Sequence, residues 1–169
     1  MVETLTTRTR LLVVREIQED ESGVELRFQQ GSHGRLDLRE ANSATYLRLA
    51  RRSQERQHPV GVSFGEGYTI TELIRADNDV PSQLWEEDPD RARVHFQGHD
   101  GVFCLKRDHP EFTRISALLG DALRQKARVW FIAQKPALAL LDVLPAGWAA
   151  APSQTRDGGG SPATFLKPL

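Results

Sequence analysis

The chain has 169 residues, of which 39% are hydrophobic and 27% charged, as is typical of a soluble globular protein with one core or two small halves sharing a core. The formal net charge of -1 excludes a global positive field that would attract nucleic acid or an anionic membrane, so any such binding needs a local patch. A single cysteine excludes an internal disulfide framework. No apolar run has the ~18 residues of a membrane span, and we expect a cytoplasmic protein without a membrane partner.

The first predicted elements are a strand over residues 11–17 and a hairpin over residues 24–38. In both strands of the hairpin, apolar and polar side chains alternate, as in a half-buried sheet. Pairing the turn glycines Gly31 and Gly34 puts the apolar side chains of the two strands on opposite faces. One extra residue in the first strand removes this conflict, so we predict a β-bulge at Gln29-Gln30.

A helix is predicted from about Ser43 to Gln57. Asn42 or Ser43 can cap its N-terminus, and Pro59 ends it. Two short apolar strands joined by a glycine turn follow over residues 60–74. This hairpin completes the first half of the sequence.

Residues 76–92 read as a linker, because they are acidic and interrupted by prolines. Trp85 is one of the few apolar residues there, and it either pins the linker to the body or anchors a partner. A second hairpin follows over residues 94–105, then a helix whose first turn contains Pro110, and finally a strand pair over residues 128–144.

The second part of the sequence repeats the order of the first with a period of about 67 residues, and Phe28 corresponds to Phe96. We predict a single α+β domain over residues 1–145, built from two hairpin–helix–hairpin (ββαββ) units at about 23–75 and 93–144, with one extra N-terminal strand. The expected arrangement is an antiparallel sheet covered on one side by both helices. The glycine-rich residues 146–169 are predicted to be a flexible tail.

Four arginines of the first predicted helix form the strongest candidate binding surface. Arg48, Arg52 and Arg56 recur every four residues with Arg51 beside them, so they share one side of the helix, called the arginine face below. It can grip phosphates, dock on an acidic protein surface or on the chain's own 86–88 segment, or remain a solvated or internally paired face. Aromatic residues that would stack on bases are not interleaved with these arginines.

The second hairpin contains a cluster of potential metal ligands, formed by His95, His99, Cys104 and His109. His95 and Cys104 are predicted to share one face of the hairpin, yet the turn and the helix start lie at opposite ends of it. One tetrahedral zinc ion needs all its ligands within about 2.3 Å, so we predict no metal site and a half-buried cysteine instead. Cys104 is in mid-strand, a poor position for a nucleophile.

The sequence contains no convincing catalytic constellation and predicts no cofactor. The leading hypothesis is a non-catalytic protein-interaction or adaptor module, with the arginine face and Trp85 as partner-binding residues. Nucleic-acid binding through the arginine face is the alternative. A metal-dependent hydrolase at the second hairpin is a third hypothesis.

Overall fold

The structure, a computed structural model, describes residues 8–147, so the predicted tail lies outside this range apart from its first two residues. The protein is a mixed α+β fold with mostly antiparallel strands, as predicted. The elements of the first half are β1 (Thr9–Leu12), β2 (Val14–Asp20), β3 (Gly23–Phe28), β4 (His33–Leu36), α1 (Ser43–Arg56), β5 (Val60–Phe64), a short 3-10 helix (Glu66–Tyr68) and β6 (Ile70–Arg75). Those of the second half are β7 (Asp77–Asp79), β8 (Pro81–Asp88), β9 (Arg91–Phe96), β10 (Phe103–Lys106), α2 (Phe112–Gln125), β11 (Val129–Gln134) and β12 (Ala139–Pro145).

Strand pairing follows the same order in the two halves. In the first half, β2, β3 and β4 form one antiparallel sheet, while β1, β5 and β6 form another. In the second half, β8–β9–β10 and β7–β11–β12 pair in the same order, and a parallel bridge between β10 and β12 joins them into one six-stranded sheet. An isolated parallel bridge between Arg35 and Thr69 lies at the corresponding place in the first half.

Each helix covers the core of its own half. Ala50 on α1 packs with the apolar side chains of the first-half strands, such as Val62. Leu119 on α2 packs with those of the second half, such as Phe131. The prediction of one sheet with both helices on one side is therefore wrong. Strands such as β11 bury alternate residues on both faces, one against the helix and the other against the opposite half, so they leave no shared face for two helices.

A third apolar cluster, called the junction cluster below, lies where the two halves meet. Gly61 is placed so that a Cβ atom there would approach Ile74 to 2.6 Å and Ile132 to 3.1 Å, which explains the absence of a side chain at this contact. The cluster is tightened by the buried carboxylate of Asp142, which accepts a hydrogen bond from the Leu11 N–H at 2.8 Å. Its members are Leu11, Ile74, Ala76, Trp130, Ile132, Leu141 and Leu144.

The segment 76–92 is not a linker but contains β7, β8 and the start of β9. Its charged side chains point outward from an edge strand, while Leu84 packs against the second-half core. The extra N-terminal strand also has a partner segment, because β1 pairs with β5 as β7 pairs with β11.

The first hairpin contains no bulge at Gln29-Gln30. Strands β3 and β4 pair in a regular register, with Val24 opposite Leu36 and Leu26 opposite Gly34. The turn lies nearer β3 than the glycine pairing suggested, since the Phe28 N–H donates to the Ser32 carbonyl. This register places the apolar side chains on one face without an extra residue.

Candidate functional site

The arginine face borders a cavity of about 330 Å³ at the contact between the two halves, called the junction cleft below. Arg52 and Arg56 from α1 and Arg75 from the end of β6 line one part of it. His99 and Trp130 of the second half line another part. The cleft therefore joins residues of the predicted binding helix to residues far away in the sequence.

The C-terminal half of α1 is fixed in place by Ser53, which is only 3% exposed. Its hydroxyl accepts a hydrogen bond from the Val14 N–H at 3.0 Å and donates one to the His58 carbonyl at 2.7 Å. The residue after the helix, Gln57, has φ = 56°, which turns the chain sharply toward β5. These contacts hold the His58 ring over Trp130, with 4.7 Å between the ring centroids.

The four arginines of the arginine face differ in their contacts. Arg51 forms an ion pair with Glu19 at 2.6 Å, and Arg48 contacts the Thr45 hydroxyl at 3.5 Å. Arg52 and Arg56 are exposed and make no ion pair with any of residues 8–147. Two arginines thus reach the cleft without a carboxylate from the described part of the chain.

The chain's own acidic segment does not dock on the arginine face. Glu86 pairs with Arg107 at 3.1 Å, and Glu87 pairs with Arg93 at 2.5 Å. These contacts are made within the second half, because the segment is the edge strand β8 rather than a mobile linker. The internal-docking alternative is therefore wrong.

Across the cleft, a hydrogen-bonded pair of Asp79 and His99 shapes the rim. The imidazole Nδ1 lies 2.6 Å from the carboxylate, which also accepts the backbone N–H groups of Val80 and Gly98 at 2.7 Å each. Burial raises the pKa of Asp79, but the hydrogen bonds from His99 and the two amides outweigh it and hold the pKa below its ordinary value. The other imidazole nitrogen, Nε2, lies 3.8 Å from the carboxylate of Asp77.

Sequence reasoning missed this pair because Asp79 was assigned to a linker. An acidic residue beside a Val-Pro step carries no local sign of a partner twenty residues away. The useful signal is the 67-residue period, which carries the first half's β1–β2 strand onto residues 77–88 and thereby predicts structure there.

The four potential metal ligands make separate contacts. His95 Nδ1 lies 2.9 Å from the Ser82 hydroxyl, and His109 Nε2 donates to the Leu141 carbonyl at 2.8 Å. Cys104 is buried opposite Arg93, two residues from the predicted pairing with His95. Over residues 8–147, no three His, Cys, Asp or Glu side chains are grouped so as to hold a metal ion.

Comparisons with protein-family models, curated proteins and solved structures found no match to this chain. Within the described range, neither helix is long and apolar enough to cross a bilayer. The function of the junction cleft is therefore inferred from its own residues.

Trp85 is 38% exposed and lies on the edge strand β8, opposite Arg93. It does not line the junction cleft. The structure thus separates it from the arginine face, and the two predicted parts of the partner-binding surface are not one surface. A partner-binding role for Trp85 stays a prediction.

A second cavity, of about 640 Å³, lies beside α2 and is called the counterpart cleft below. Asp121 is the tenth residue of α2, as Arg52 is of α1, and Gln125 is the last, as Arg56 is. Both residues of α2 line this cavity. Pro145 ends β12 beside it, as Arg75 ends β6 beside the junction cleft. The same positions thus carry arginine in one half and acidic or neutral residues in the other.

Proposed function

We propose that the protein is a non-catalytic interaction module that binds an acidic segment of a protein partner through the arginine face. The observation that carries this proposal is the exposure of Arg48, Arg52 and Arg56 without an ion pair to any described residue. Elsewhere on the surface, arginines such as Arg35 and Arg107 pair with carboxylates of the chain. A row of free guanidinium groups suits an external anion, and it exerts mutual repulsion until one binds.

We also propose that the two halves arose by duplication of a strand–hairpin–helix–hairpin unit. The matching order of strand pairs supports it, and so do matching details of backbone hydrogen bonding. The Gln29 N–H donates to the Val13 carbonyl at 2.8 Å, and the Gln97 N–H donates to the Val80 carbonyl at 3.0 Å. Register shifts in the neighbouring strand pairs fall at Arg15 and 67 residues later.

The helices extend this correspondence and correct its register. Each has 14 residues and ends at a residue with positive φ, Gln57 after α1 and Lys126 after α2. They therefore match at an offset of 69, with Ala50 corresponding to Leu119, rather than at the shorter offset suggested by aligning Tyr46 with Phe112. Residues that differ between matched positions, rather than the shared fold, are where a specific function belongs.

The absence of catalysis is part of this proposal. Ser53, the hydroxyl at the cleft, is committed to two backbone hydrogen bonds and is not free to act as a nucleophile. Cys104 is buried in the six-stranded sheet. The dispersed contacts of the four potential metal ligands give no support to a metal-dependent hydrolase.

The proposal is tested by removing the charges of the arginine face. A short fluorescent peptide rich in Asp and Glu is titrated with the full chain at low salt, and binding is followed by fluorescence anisotropy. Exposed ion pairs contribute about 0.5 kcal/mol each, so R48Q/R52Q/R56Q is expected to weaken binding about tenfold. Added salt should weaken the wild-type complex.

A matched control removes three positive charges from the other half. K106Q/R124Q/K126Q changes the net charge by the same amount, and glutamine already stands at the position in α1 that matches Lys126. This variant should bind the peptide like the wild type. Equal losses in both triple variants would contradict the proposal, because the binding would then follow net charge alone.

Nucleic-acid binding remains the second candidate function, favoured by one specific observation. The junction cleft places Trp130 and His58 beside Arg52 and Arg56, which supplies an aromatic stacking group next to guanidinium groups. It predicts salt-sensitive binding of a single-stranded oligonucleotide that weakens in R48Q/R52Q/R56Q. No binding of the oligonucleotide at low salt would remove this candidate.

A further inference from the structure

Three arginines from two separate elements line the junction cleft. Arg52 and Arg56 come from α1, and Arg75 comes from the end of β6. All three are exposed, and none pairs with a carboxylate among residues 8–147. Placing three like charges around one cavity is unfavourable in the free protein, so the arrangement favours a bound anion.

The charge balance of the cleft fits a doubly charged anion. Asp77 is the one carboxylate among its lining residues, so three guanidinium groups and one carboxylate give a formal charge of +2 with both histidines neutral. A single carboxylate leaves half of this charge uncompensated. A phosphorylated side chain carries about -1.5 to -2 charges and three acceptor oxygens, which guanidinium groups bind in pairs.

The counterpart cleft shows that the fold does not require these arginines. Asp121, Gln125 and Pro145 occupy the positions that match Arg52, Arg56 and Arg75, and the cavity there forms nevertheless. The positive charge is thus specific to one half. A packing role common to both halves would need similar residues at both sets of positions.

The size and walls of the cleft favour a phosphorylated side chain over a nucleic-acid strand. Its volume of about 330 Å³ is at the lower end for ligand sites, which span about 300–1,000 Å³. The carboxylate of Asp77, beside His99 at 3.8 Å, opposes a chain of successive phosphates. The half-buried Trp130 under His58 offers an apolar contact to the residue that flanks the phosphoryl group.

We propose that the junction cleft binds a phosphoserine or phosphothreonine of the acidic partner segment, with Arg52, Arg56 and Arg75 holding the phosphoryl group. This inference rests on the proposed function, in which the arginine face holds the acidic residues that flank the phosphorylated one. Clusters of arginine are the usual means of recognising phosphorylated peptides.

The test compares three fluorescent peptides that share one acidic sequence and differ at the central residue, which is serine, phosphoserine or glutamate. Each is titrated with the full chain at physiological ionic strength. The phosphoserine peptide is expected to bind at least about tenfold tighter than the serine peptide, because charge-assisted hydrogen bonds are worth about 1.5–3 kcal/mol each. The glutamate peptide should gain only part of this preference.

Variants separate the cleft from the rest of the arginine face. R75Q should abolish the preference for phosphoserine while leaving binding of the serine peptide near its wild-type value. R48Q, which alters the arginine face outside the cleft, should weaken both peptides and keep their ratio. R124Q, beside the counterpart cleft, should change neither affinity. Thermal unfolding of each variant checks that it is folded.

Each outcome supports or overturns a defined part of the inference. Equal affinity for the serine and phosphoserine peptides overturns the phosphoryl site and leaves the proposed function standing. Binding of the phosphoserine peptide alone supports the site and removes the acidic-segment proposal, while failure of all three peptides removes both. A single-stranded oligonucleotide that displaces the phosphoserine peptide from the wild type, and binds less tightly to both R75Q and R48Q, would reassign the cleft to nucleic acid.

Discussion

Asp79 is a buried carboxylate whose charge is balanced by hydrogen bonds rather than by a lysine or arginine. It accepts the N–H groups of Val80 and Gly98 and contacts the His99 imidazole at 2.6 Å. Burial alone would raise its pKa, yet these hydrogen bonds lower the pKa below the ordinary 3.8. A depressed pKa stabilises the fold above the unfolded-state pKa, and this contribution is lost as the pH falls through the folded-state value.

Replacing Asp79 with asparagine should remove this dependence on pH. We expect D79N to be about 1–3 kcal/mol less stable than the wild type at pH 7, because amide groups of the rim lose a charged acceptor. The difference should shrink as the pH falls below about 4, where the wild-type carboxylate begins to lose its advantage. Urea unfolding between neutral and acidic pH measures it.

The control for this prediction is D100N, which alters an exposed carboxylate in the turn next to His99. It should track the wild type at each pH. A stability difference for D79N that stays constant down to acidic pH would contradict the assigned role of the carboxylate.

At the scale of single elements, α1 is joined to β2 by Ser53. The hydroxyl satisfies the Val14 N–H and the His58 carbonyl at once, in a position where water has little access. Its match in α2 is the buried Ala122, so this tie exists in the first half alone. It fixes the end of the helix that presents Arg56.

Substituting Ser53 with alanine should leave two buried backbone groups without that partner. We expect S53A to lower the free energy of unfolding by about 1–3 kcal/mol and to speed hydrogen exchange of the Val14 amide. Urea unfolding and amide exchange give the two measurements. T113A, an exposed substitution on α2, should change stability by less than about 0.5 kcal/mol; an equal loss there would contradict the role of Ser53.

Elements with a clear hydrophobic period were predictable from sequence. The first helix was expected at about 43–57 and spans Ser43–Arg56, because its apolar residues recur at helical spacing. β8 was missed, because acidic side chains and prolines indicate a loop, whereas backbone pairing at a sheet edge tolerates both. Leu84 lies 67 residues after Ile17, and both pack against the core of their half, so the period contained the missing signal.

The arginine face was predictable, but the junction cleft was not. Helical spacing alone places Arg48, Arg52 and Arg56 on one side of α1. The approach of Trp130 to this helix depends instead on how the two halves pack, and no local pattern near residue 130 specifies its neighbour. The predicted tail adds nothing to this comparison, since residues 148–169 lie outside the described range.

At the scale of the whole molecule, the junction cluster links the two halves. Ile132 of β11 is 1% exposed and packs with Leu11 of β1. The carboxylate of Asp142 binds the Leu11 amide on one side and the Arg114 guanidinium on the other. Breaking a half away would expose this cluster and leave Asp142 with fewer partners, so the halves should unfold together.

We expect I132A to destabilise the whole domain, because the substitution leaves a cavity between the two halves. The expected loss is about 2–4 kcal/mol, within the range for large-to-small substitutions in cores. A W85F/W148F background makes fluorescence report on Trp130 at the junction, while far-UV circular dichroism reports on both halves. Both signals should shift to lower urea together and keep a single transition. L38A removes a side chain that is 43% exposed and should leave the midpoint nearly unchanged. Two separate transitions in I132A would mean that the halves are independent folding units and that the junction cleft is a loose contact rather than a formed site.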